Sequence, residues 1–119
     1  MSIISGVGSP ATAGPASGGK VYAYNDLSTT PEVVAPANVD RRSITFHNPG
    51  TIDVFVAPQY VVNSGTNVVL TPTTSALGGC FRVYANGGAL TLTGECQGQW
   101  QAFSASASGN PLTVMDSNV

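Results

Sequence analysis

The sequence predicts an all-β protein, an antiparallel β-sandwich of jelly-roll type with about eight short strands. Three observations predict it. Apolar and polar residues alternate over short runs, which is the period of a strand with one buried face. Turn formers interrupt those runs, drawn from 14 glycines, 8 prolines and several asparagines. Charged residues make up only 8% of the 119-residue chain, against the usual quarter or so. Polarity comes instead from Ser, Thr, Asn, Gln and Gly, which suits strands and turns and disfavours long solvated helices.

Residues 1–19 form a Gly/Ala/Ser/Pro-rich arm without periodicity, and residues 20–119 form the sandwich domain. The arm buries too little apolar surface to offset its own ordering entropy. It is either a flexible tail or a segment that orders in a partner's groove. In the second case Ile3, Ile4, Val7, Pro10 and Pro15 are the partner-binding residues.

Val21-Tyr22-Ala23-Tyr24 is the first strand, with both tyrosines on one face. A connection punctuated by Pro31 and Pro36 follows, with Val33-Val34 as a short edge strand. The central stretch, residues 41–58, reads as a β-hairpin. Ile44 and Phe46 alternate with Thr45 and His47. Asn48-Pro49-Gly50-Thr51 is the expected turn, with glycine supplying positive φ. Ile52, Val54 and Val56 then oppose Asp53, Phe55 and Ala57, and Pro58 ends the ladder.

Tyr60-Val61-Val62 and Val68-Val69-Leu70 are short strands about a turn at residues 63–66. Cys80 to Tyr84 and Ala89 to Thr93 are read as a second hairpin, because Asn86-Gly87 tolerates positive φ at both central positions. Gln99 to Ser104 carries the only tryptophan, and Pro111 to Met115 is the last strand.

Composition also excludes function classes. Four basic residues and a net charge of −2 cannot neutralise a run of phosphates, so no nucleic-acid partner is expected. The Arg41-Arg42 pair is expected to anchor a strand start or make a local salt bridge, with Asp40 or Asp53 as partners. No apolar run is long enough for a spanning helix, and no membrane partner is expected. The N-terminus lacks a signal-peptide pattern, so the chain reads as cytosolic at synthesis. Cys80 and Cys96 fit no zinc spacing. A disulfide between them is sterically conceivable, and free buried thiols suit a cytosolic product.

The lone His47 has no nominated nucleophile or orienting acid, and it reads as packing or surface. The six acids are scattered, and no phosphate-binding glycine loop is present. No enzyme activity, cofactor or metal is expected. Trp100 can serve as a sugar-stacking platform, but a small sandwich needs large aromatics inside, and Trp100 or Phe103 is expected there.

The run from Arg42 to Pro58, together with Gln99-Trp100-Gln101-Ala102-Phe103 and Gly109-Asn110-Pro111-Leu112-Thr113-Val114, resembles small virion proteins of tailed bacteriophages. Among them it is most similar to jelly-roll capsid decoration (cement) proteins. The resemblance implies a non-enzymatic homo-oligomer, dimer or trimer, on the exterior of the virion capsid. Its partner would be the major capsid protein, whose neighbouring subunits it bridges. A head-fibre, tail or baseplate component, or a carbohydrate-binding module, is the alternative. The family offers no catalytic residues.

Overall fold

The computed structural model describes residues 19–63, 66–69, 80–94, 96–106 and 109–118, with backbone only for 60–63 and 66–69. The strands are β1 (Lys20–Leu27), β2 (Glu32–Ala35), β3 (Ser43–Asn48), β4 (Val54–Pro58), β5 (Tyr60–Asn63), β6 (Thr66–Val69), β7 (Phe81–Val83), β8 (Gly88–Leu92), β9 (Trp100–Ser104) and β10 (Asn110–Ser117). Eight of them make two antiparallel four-stranded sheets, ordered β1-β10-β3-β8 and β2-β9-β4-β7. β5 and β6 form a separate hairpin inserted between β4 and β7. Except at that insertion, every step along the eight strands changes sheet. This is the jelly-roll order, so the expected fold class holds.

Strict alternation places the core. Ile44 and Phe46 of β3, Val54 and Val56 of β4, Trp100 and Ala102 of β9, and Leu112 and Val114 of β10 are all buried between the sheets. Phe46 and Trp100 meet across the interior with ring centroids 5.4 Å apart. Burying side chains of this size contributes about 1.5–3 kcal/mol each. Tyr22 and Tyr24 share the inner face of β1, as alternation requires. β2 is an edge strand, also as expected.

The central hairpin is corrected. β3 and β4 never pair: β3 lies between β10 and β8, whereas β4 lies between β9 and β7. The segment Asn48–Asp53 is an arch from one sheet to the other. Asn48 explains its shape. Its carboxamide accepts from the Gly50 N–H at 3.0 Å, while its Nδ2 donates to Ile52 O at 2.8 Å and Val83 O at 3.0 Å. Gly50 is not at positive φ either. Its reason is a close approach, since a Cβ there would sit 2.7 Å from Pro111 Cδ.

The second expected hairpin is corrected in the same way. Asn86 and Gly87 do adopt positive φ, at 64° and 98°, but β7 and β8 belong to different sheets. The two arches are bonded to each other, with Asn86 N donating to Gly50 O and Gly87 N to Asn48 O, both at 2.7 Å.

Candidate functional site

Three features of the sandwich are candidates for function: an outer sheet face, a buried guanidinium and an aromatic patch. The face comes first. In the β1-β10-β3-β8 sheet, the residues pointing away from the core line up in two cross-strand rows. One row is Val21, Met115, Thr45 and Thr91; the next is Ala23, Thr113, His47 and Ala89. No formal charge stands in either row, His47 being counted neutral. Val21 is 65% exposed and Met115 46%, and Thr45 and Thr91 join their hydroxyls at 2.8 Å. Four strands at their usual spacing make a face of roughly 400 Å². That is about half of what one partner gives to a standard pairwise interface.

The guanidinium belongs to Arg41, which is fully buried. Its Nε and Nη2 donate to Asp116 Oδ2 at 3.3 and 3.2 Å. Its Nη1 donates to Cys96 O at 2.9 Å and Gly98 O at 3.0 Å, and Nη2 also reaches Pro36 O at 2.7 Å. All five N–H groups are therefore used. The other oxygen of Asp116 accepts from the Lys20 backbone N–H at 3.0 Å. Arg41 thereby fastens the β2–β3 connection, the β8–β9 connection, the end of β10 and the start of β1. Residues 1–18 join the sandwich at this same end, and so does the β5–β6 insertion, where Gln59 N donates to Gln99 O at 2.8 Å. A groove of about 300 Å³ lies beside that exit, lined by Ala37, Pro58, Gln59, Gly98 and Gln99.

The local salt bridge expected for the Arg41-Arg42 pair is corrected here. The partner of Arg41 is Asp116, 75 residues away, and Asp53 pairs instead with Arg82. A signal for this existed in the sequence. Leu112, Val114 and Asp116 share one strand parity, which sets an acid at an inward position and calls for hydrogen-bond donors beside it.

The aromatic patch covers the outer face of the other sheet. Phe55 and Phe103 stack at 5.1 Å, and Phe103 is fully buried although it points away from the core. Arg82 lies 4.7 Å over the Tyr84 ring and 5.9 Å over that of Phe55, and its Nε donates to Asp53 Oδ2 at 2.9 Å. Hydrogen bonds from Arg82, and then from the Ala85 N–H, hold the Asp53 carboxyl below its usual pKa. The same bond raises that of Arg82.

His47 sits half-buried on the outer face, opposite Ala89 and Thr113. Trp100 is only 3% exposed, so it is a core residue and not a surface stacking platform. Tyr24 commits its hydroxyl to Val34 O at 2.7 Å. Burial first, then Tyr22 and Glu32, raise its pKa. Cys80 and Cys96 are free thiols, and burial raises the pKa of Cys80. The arm residues Ile3, Ile4, Val7, Pro10 and Pro15 lie outside the described residues. Among the described residues, no helix is long and apolar enough to cross a membrane.

No family model matches the chain, and no curated protein or solved structure matches it. The jelly-roll assignment therefore stands on strand order alone. The most distinctive surface on that fold is the charge-free face, with the Arg41 hub holding its strand ends in place. Short of charge and rich in Thr and Ala, it suits contact with another protein surface better than binding a small ion or a polyanion.

Proposed function

We propose that the chain is a non-enzymatic structural protein of a virion, a capsid decoration protein that bridges neighbouring major capsid subunits of a bacteriophage head. A jelly roll by itself assigns no function. The observation that carries the reading is the outer face of the β1-β10-β3-β8 sheet, whose two central rows hold no formal charge. Such a face loses little on desolvation, because it has no ion to strip of water. Its small area makes each contact weak, and a symmetric lattice offsets that by repeating the contact many times. Residues 1–19, which enter beside the rigid Arg41 end, supply a second contact reaching a neighbouring subunit.

Cosedimentation with expanded phage heads lacking the protein tests this, with the full chain compared against one starting at Lys20. The full chain is expected to bind saturably, at a ratio matching the lattice sites. The shortened chain is expected to stay folded and be lost from the heads. Undiminished binding by the shortened chain would remove the arm from the contact. Absence of binding by either chain would overturn the reading.

A further inference from the structure

The two rows that carry the proposed contact are built from Val, Met, Ala and Thr, with one exception. His47 stands in the second row, half-buried. It is the one side chain of these rows that changes charge near neutral pH, since a histidine ordinarily takes up its proton between about pH 5 and 8. A face that docks because it holds no ion is therefore free of charge only on the alkaline side of that range.

We infer that His47 makes docking through this face depend on pH: the contact forms while the imidazole is neutral and is released when the ring is protonated. The inference rests on the reading of this face as the capsid contact. β3 is an inner strand, with Thr113 of β10 opposite His47 on one side and Ala89 of β8 on the other. A partner lying across the sheet therefore covers the ring. Neutral, the ring loses its water at modest cost, as the threonines do. Protonated, it takes a unit charge into the contact, and stripping that charge of water is costly unless an acid stands beside it.

Among the described residues, no acid stands there. On β3 the next outward residue is Thr45, whose hydroxyl is committed to Thr91 at 2.8 Å. On β10 and β8 the residues opposite are Thr113 and Ala89. β1 lies two strands away and puts Ala23 in the same row. Its acid, Asp26, is beyond the register shift, roughly 10 Å or more from His47 at the usual strand spacing. Lys20, Asp40 and Arg42 stand at the far end of the sheet, around the buried Arg41–Asp116 pair. Glu32 and Arg82 are on the other sheet, and Asp53 is paired with Arg82. The proton on His47 therefore meets no counter-charge from its own chain, and its cost falls on the contact.

Cosedimentation of the full chain with expanded heads at about pH 7.5 and about pH 5.5 tests it, with melts at both values confirming that each variant is folded. A histidine at its ordinary value is about nine-tenths protonated one pH unit below it, so docking by the neutral form alone weakens about tenfold. The wild-type chain is expected to show that loss between the two conditions. His47→Gln, which cannot take up a proton, is expected to bind equally at both, and it controls for any effect of pH on the heads. His47→Lys, charged throughout, is expected to bind at about pH 7.5 no better than the wild type does at about pH 5.5. Wild-type binding that is equal at the two values would overturn the inference and leave the capsid reading standing. So would a His47→Gln chain that loses affinity in acid as the wild type does, or a His47→Lys chain that binds like the wild type at about pH 7.5. Absence of wild-type binding at both values would overturn the capsid reading, and this inference with it.

Discussion

At one end of the sandwich a guanidinium with all five N–H groups engaged ties four chain segments together. At the other end the buried pinning groups are neutral amides: Asn48 at the two sheet-switching arches, and Asn110, which donates to Leu27 O and Ser104 Oγ at 3.1 and 2.9 Å. The charged end is where residues 1–18 and the β5–β6 insertion join the fold; the neutral end only closes it. A buried ion pair is costly to assemble and still more costly to break on one side, and it accepts little change in geometry. A carboxamide tolerates more. The difference places the less adaptable fastening at the end where β1 begins and where β4 leads into β5.

The largest expected effect comes from Arg41→Met, which leaves Asp116 buried without its cation. The loss is about 3–5 kcal/mol, a fall in Tm of roughly 10–20 °C by calorimetry. The double variant Arg41→Met/Asp116→Leu is expected to recover part of that. If the single variant melts no lower than the double, the hub is not what holds this end. Asn48→Ala is expected to cost less, about 1–3 kcal/mol, because it orphans two carbonyls and an N–H but strands no charge. An Asn48 variant less stable than the Arg41 variant would reverse the ranking of the two ends.

The Arg82–Asp53 pair sharpens the same contrast at the exposed surface. Its effect is expected to be the smallest, since solvent screens it. The pKa of Asp53 is lowered on folding, so its contribution is present above the unfolded carboxyl value, about 3.9. It is lost as pH falls through the lower folded value. Melts of Asp53→Asn and wild type are therefore expected to differ slightly at neutral pH and to converge in acid. A gap that widens in acid would show that something other than this pair is titrating.

The strands were legible in the sequence because alternation is a local property: Ile44-Thr45-Phe46 and Leu112-Thr113-Val114 each declare which side is buried. The connections were less so. Asn48-Pro49-Gly50 and Asn86-Gly87 announce a bend, and the second correctly announces positive φ. Neither says whether the chain returns to the same sheet or crosses to the other. That choice is made by bonds between the two arches, which join residues far apart in sequence. Arg41 was hidden for a related reason. Three of its acceptors are backbone carbonyls, which have no sequence signature, and its carboxylate is on the last strand. The charge-free face was implicit in the outward positions of four strands, but only the observed strand order shows that they stand side by side.

Cosedimentation of a Thr113→Lys/Thr45→Lys variant with expanded heads tests the central claim most directly, because both positions lie in the middle of the charge-free face and neither is in the core. The variant is expected to melt close to wild type yet no longer bind heads to which the wild-type chain binds saturably. Wild-type binding left unchanged by two lysines on that face would contradict it.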